Sequence, residues 1–162
     1  MIIPLSHLFY PWYSDKGQQL TEFVPKNFVT SDNNYFCPTR DMIQNELAPK
    51  YWKWLSSIRL TKWVHRWDCD NFADAFKLFC CGYYEQVIES TAEGIAVGVI
   101  NYTTDKRPEG GGGGHAINII YVDDGKKDDG TDNVGVLFFE PQNCQIKYLT
   151  DQEFNSIWTV YI

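Results

Sequence analysis

The hydrophobic rhythm of the chain changes twice. Residues 1–38 mix aromatics with Pro4, Pro11, Pro25 and Pro38 without a sustained period, which predicts an arm of loops and short strands. From Thr39 the apolar positions fall at helical spacing. Thr39 or Asp41 is placed to cap a helix through Leu47, and Pro49 stands inside the first turn of a second helical run, Tyr51 to Leu60. Asp68 or Asp70 then caps a third helix reaching about Gly82, whose apolar face is Phe72, Ala73, Phe76, Leu78 and Phe79. Beyond it the period becomes two. Ile95 to Tyr102, His115 to Val122, Val134 to Glu140 and Gln145 to Leu149 read as consecutive antiparallel strands bounded by Gly, Asp and Asn. Thr150 with Glu153 makes a capping box for one short turn before a last strand, Ile157 to Ile162. Helices first and sheet second predict an α+β domain over residues 1–162, with the arm at 1–38, a helical part at 39–83 and a sheet part at 94–162.

Two loops interrupt the sheet. Arg107 to Gly114 carries five consecutive glycines, which would let another group approach the backbone of His115 or simply form a loose hairpin. Asp123 to Asp132 is acidic, but its spacing is not that of a helix-loop-helix calcium hand and reads as a solvated turn.

Composition narrows the function. Aromatic content of 16% with 22% charged residues excludes disorder, and a net charge of -7 without any basic run excludes a nucleic-acid surface. No stretch approaches the ~18 apolar residues of a membrane span, and the start lacks a basic lead, so a soluble, cytoplasmic chain is expected. Five cysteines, odd in number and irregularly spaced, do not form a disulfide framework, which also points to a reducing compartment. Cys37, Cys80, Cys81 and Cys144 are expected as small buried hydrophobes.

Cys69 is different because it opens the third helix, where free N–H groups and the helix dipole favour a thiolate. Asp68 and Asp70 oppose that effect, so an imidazolium would have to complete it. Of the three histidines, His7 lies in the arm and His65 on the approach to the helix. His115 starts a strand whose alternation through Ile117, Ile119 and Tyr121 would turn it toward the central helix. Glu140 closes the next strand among Phe138, Phe139 and Pro141 and is the leading partner for a second imidazole nitrogen; Asn143, Gln142 and Asp123 are alternatives. The Cys69 backbone N–H would donate to a bound oxyanion, with Gln44, Asn45, Trp63 and Trp67 as candidate second donors.

The order Trp67 to Ala73, then His115 Ala116 Ile117 Asn118, then Glu140 Pro141 Gln142 resembles the papain-like and transglutaminase-like cysteine hydrolases. More narrowly, it is similar to the C-terminal protease domain of the Marasmius oreades agglutinin and its bacterial and phage relatives. The resemblance covers about residues 40–162. It implies a papain-like fold, with N-terminal helices and a central Cys-bearing helix packed on a C-terminal antiparallel sheet. It also implies a peptidase or amidase acting through an acyl-enzyme, with Cys69 as nucleophile, His115 as base and acid, and Glu140 as the orienting acid. Trp67, Gln44 and Asn143 are then candidates for the oxyanion or substrate. No cofactor is required by the sequence; the resemblance adds calcium, with no ligands assignable by position. The expected partner is a peptide or protein substrate, with no nucleic acid and no membrane. The chain has no room for the agglutinin's sugar-binding domain, so carbohydrate targeting is not implied. The alternative is a non-catalytic binding or interaction protein on the same scaffold, phage or defence related, gripping a partner through Phe9, Tyr10, Trp12 and Tyr13.

Overall fold

The computed structural model describes residues 1–4, Leu8 and 27–162. The expected helix-then-sheet order is present, and the described residues form an α+β arrangement of a few helices on a mixed sheet. Short strands β1 (Ile2–Pro4), β2 (Asn27–Val29) and β3 (Asn34–Phe36) precede the helices. Thr39 caps α1 (Arg40–Met42), its Oγ1 accepting the Met42 N–H at 3.1 Å. The two helical runs read from the sequence are joined rather than separate. A π-helical stretch, Ile43–Leu47, links α1 to α2 (Ala48–Ser57), and Pro49 sits in the first turn of α2 where its missing N–H costs nothing.

The central helix α3 (Cys69–Val87) begins where Asp68 turns extended, and the Asp68 N–H donates to Asn71 Oδ1 at 3.2 Å. It runs past Gly82, the stop expected from sequence, because Tyr83, Tyr84 and Val87 continue the helical pattern and nothing in Gly82's surroundings requires a break. Tyr84 is buried and donates to the Ala92 carbonyl at 2.7 Å, which fixes the exit of the helix.

Six strands form the main sheet in the order β2-β9-β5-β6-β7-β8, where β5 is Val97–Thr104, β6 Gly113–Lys126, β7 Asp132–Glu140, β8 Gln145–Lys147 and β9 Thr159–Tyr161. β5 to β8 are antiparallel neighbours, as expected; β9 returns antiparallel to β5, and β2 joins it in parallel, which makes the sheet mixed. A smaller sheet has the order β1-β3-β4, with β4 at Gly94–Ile95. α4 (Asp151–Asn155) follows the predicted Thr150–Glu153 capping box.

Alternation along β6 separates two cores. Ile120 and Val122 pack with Phe72 and Phe76 of α3 and Tyr51 and Leu55 of α2. Ile117, Ile119 and Tyr121 pack on the other side with Ile3, Leu8, Tyr35, Ile157 and Val160. Each buried side chain of this size contributes about 1.5–3 kcal/mol by removal from water, so both faces of the sheet are fixed by burial. Between them, Asn118 is fully buried and donates from Nδ2 to the Ala73 carbonyl of α3 at 2.9 Å and to Gly98 of β5 at 3.0 Å. This amide sets the height of α3 on the sheet.

Candidate functional site

The local structure that places Cys69 is a tight turn followed by a helix start. Val64 and Trp67 exchange backbone hydrogen bonds of 3.0 and 2.8 Å, which reverses the chain and delivers Asp68 to the cap. Cys69 is half-buried against Ala73, Val99, Ala116 and Tyr161. His115 opens the long apolar part of β6, and Glu140 ends β7 beside it. His115 Nε2 and Glu140 Oε2 are 2.6 Å apart, both residues almost fully buried at 2% and 3% exposure. The second carboxylate oxygen, Oε1, accepts the Gln142 backbone N–H at 3.2 Å.

Burial alone would push the His115 pKa down. The close approach of Cys69 and the hydrogen bond to the Glu140 carboxylate outweigh it and raise the value to about 9. The imidazole is therefore a cation at neutral pH, ion-paired to Glu140. Although Cys69 is close enough to favour that charge, Nδ1 makes no directed hydrogen bond among the described residues. The imidazolium is thus held between a carboxylate on Nε2 and the half-exposed Cys69. Tyr102, opposite His115 in the β5–β6 register, packs edge-on against the imidazole with ring centroids 5.7 Å apart.

Cys69, His115 and Glu140 thus come together as the sequence predicts, but the apolar set read alongside His115 does not face the central helix. Ile117, Ile119 and Tyr121 lie on the side of β6 away from the central helix, whereas His115 stays within reach of Cys69 at the start of that helix. Among the remaining candidates, Trp67 is half-buried, stacks edge-on with Phe72, and has an Nε1 without a partner among the described residues. Gln142 also has an unpartnered buried Nε2. Gln44 is exposed on the π-helical stretch, Asn45 donates to Asp41 at 2.6 Å, Asn143 is exposed in the turn between β7 and β8, and Trp63 and His65 are exposed. His7 and the aromatic arm residues Phe9, Tyr10, Trp12 and Tyr13 lie outside the described residues.

The five-glycine stretch is a hairpin end rather than an approach to His115. Gly113 and Gly114 already belong to β6, and Arg107 closes the turn through its N–H to Gly111 at 3.0 Å and its guanidinium to Gly112 at 2.9 Å. Gly110, Gly111 and Gly113 have positive φ, the conformation for which glycine is needed. In the acidic loop, Asp124 pairs with Arg40 at 2.7 Å, Asp123 with the Met1 amino group at 3.2 Å, and Asp132 with Lys126. Among the described residues no group of three or more His, Cys, Asp or Glu side chains is placed to hold a metal ion. Of the cysteines expected to be buried, Cys81 is exposed on the outer face of α3; burial pushes the Cys37 and Cys144 thiols up to about 12.

Sequence reasoning missed a second polar region. A cleft of about 560 Å³ opens between the end of β5, the end of β8 and α4, lined by Thr104, Asp105, Lys106, Lys147, Tyr148 and Gln152 among others. Its only sequence signal was the Thr150–Glu153 capping box, which was assigned no further role.

No family model matches the chain, and no curated protein matches it. Solved structures do. A PSL1a–E64 complex shares the fold over 99% of this chain and 51% of its own, at 20% identity and a TM-score of 0.62. A Polyporus squamosus lectin bound to the human-type influenza-binding epitope Neu5Acα2-6Galβ1-4GlcNAc shares it over 83% of this chain and 42% of its own, at 23% identity and a TM-score of 0.57. The chain spans about half the length of these proteins. Together these findings correct the resemblance drawn from the sequence. The fold is shared with a solved lectin, and no peptidase family model supports the papain-like or transglutaminase-like assignment. The reading as a cysteine peptidase or amidase, with its hydrolase, thiol-protease and catalytic-triad labels, is withdrawn with it. The physical reason is that three polar side chains in a given order define a polar cluster, whereas turnover has to be argued separately from fold. No helix among the described residues is long and apolar enough to cross a membrane.

Proposed function

We propose that the chain is a non-catalytic binding protein whose ligand is carbohydrate-bearing rather than a peptide substrate. The observation that carries the reading is the fold shared over 83% of the chain with a lectin solved with a sialylated trisaccharide. Cys69, His115 and Glu140 serve in it as a buried polar cluster that ties the start of α3 to β6 and β7. Calcium, expected by resemblance, is a proposal of lower rank because no metal-holding cluster is present among the described residues.

The test is calorimetric titration with Neu5Acα2-6Galβ1-4GlcNAc, followed by mass spectrometry of the recovered ligand and of an unstructured peptide mixture incubated with the protein. Saturable binding that survives Cys69→Ser, with ligand and peptides intact, is expected. Peptide cleavage that disappears in Cys69→Ser would overturn the reading.

A further inference from the structure

The open cleft between β5, β8 and α4 has a chemistry distinct from that of the Cys69 cluster. Its floor is internally satisfied. Thr104 donates to Glu153 Oε1 at 2.5 Å, Lys147 reaches the same oxygen at 3.3 Å, and Glu153 Oε2 accepts the Thr150 N–H at 2.9 Å. The Ser156 hydroxyl accepts the Thr103 N–H at 2.8 Å, which ties α4 to β5. These bonds make the floor rigid and leave it little to offer a ligand.

The rim is the opposite. The side chains of Asp105, Lys106 and Gln152 are exposed and make no hydrogen bond among the described residues. Tyr148, also lining the cleft, is 87% exposed. An aromatic ring of this exposure does not contribute to the core, and its face and hydroxyl are both free for a ligand. The volume lies within the ~300–1,000 Å³ of small-molecule sites. Charge decides the ligand class: Lys106 and Lys147 are balanced by Asp105 and Glu153, so the cleft has no net attraction for a phosphate or a polyanion. What remains is a carboxylate acceptor, an ammonium donor and an amide that does both, set around an aromatic face.

We propose that this cleft binds a neutral pyranose unit, its hydroxyls bonded by Asp105, Lys106 and Gln152 and its C–H face laid on Tyr148. The proposal rests on the reading of the chain as a carbohydrate-binding protein and assigns that reading a place, separate from the Cys69 cluster.

The test titrates the chain with two probes, neutral Galβ1-4GlcNAc and Neu5Acα2-6Galβ1-4GlcNAc, using wild type, Tyr148→Ala and Gln152→Ala. Both substituted residues are exposed, so both variants should fold with unchanged circular dichroism and melting. Binding of the disaccharide by wild type, weakened about tenfold or more in each variant, is the expected result. Equal affinity of the variants and wild type would overturn the cleft as the site while leaving carbohydrate binding in place. Binding of the sialylated probe alone would overturn the neutral pyranose. Absence of binding to both probes would overturn the site and the proposed function together.

Discussion

The Cys69–His115–Glu140 cluster and the Tyr148 cleft are both polar, yet they are built in opposite ways. The first confines charge inside the sheet: His115 and Glu140 are 2% and 3% exposed, and the pair survives burial because each partner cancels the other's desolvation. The second places its bonded groups beneath and its unbonded ones at the rim. Buried pairing makes geometry costly to disturb, whereas an open rim makes it cheap to vary. A stability measurement should therefore report on the first region and a binding measurement on the second.

Breaking the buried pair should have the largest effect. Glu140→Ala leaves the His115 cation without its carboxylate, and a loss of about 3–5 kcal/mol is expected in urea denaturation. A loss under about 1 kcal/mol would mean the pair is screened by solvent. Nuclear magnetic resonance titration of the same variant should show the His115 pKa falling well below about 9, because burial, which pushes it down, would then oppose only Cys69.

Removing the amide that spaces helix and sheet comes next. Asn118→Ala loses the bonds to Ala73 and Gly98 and should cost about 1–3 kcal/mol, since two buried carbonyls are left without that donor. Rigid retention of stability would show that the α3–sheet contact is carried by apolar packing alone.

The two regions should also differ in pH response. His115 has its folded value raised from 6.5 to about 9, so its stabilising contribution is complete below about pH 6.5 and is lost as pH rises through about 9. Glu153 behaves inversely: burial pushes it up, but bonds from Thr104, Thr150 and Lys147 outweigh that and hold it at about 2, below its ordinary 4.5. Its contribution is present above about pH 4.5 and is lost as pH falls toward about 2. Melting temperatures across pH should lose the alkaline decline in His115→Ala and shrink the acid decline in Glu153→Gln; an unchanged profile in either variant would remove that group from the account.

The smallest effect is reserved for the rim. Tyr148→Ala should alter stability by less than about 0.5 kcal/mol, as exposed substitutions do, and a larger loss would place the ring in the packed structure rather than in a binding site.

Periodicity made much of the fold legible. Thr39, Asp68 and Thr150 were placed as caps, and the strands β5 to β8 were ordered correctly, because these depend on local chemistry and on a period of two. The face of β6 that α3 covers was not legible for the same reason. Alternation says that Ile117, Ile119 and Tyr121 share a face, but not which face α3 covers, and the helix covers the other. Pro49 was placed in a first turn, as found, but the helix read as ending at Leu47 continues into that turn through a π-helical stretch, which local spacing does not mark. The cluster of Cys69, His115 and Glu140 was visible as three motifs in order, and that order led to the peptidase assignment now withdrawn. The cleft was invisible because its members come from three separate elements and none is unusual in its own sequence neighbourhood.

The central claim is that the chain binds a carbohydrate, and calorimetric titration of the wild-type protein with Neu5Acα2-6Galβ1-4GlcNAc tests it most directly. Saturable heat approaching one ligand per chain is predicted. A titration indistinguishable from buffer at millimolar ligand would contradict it.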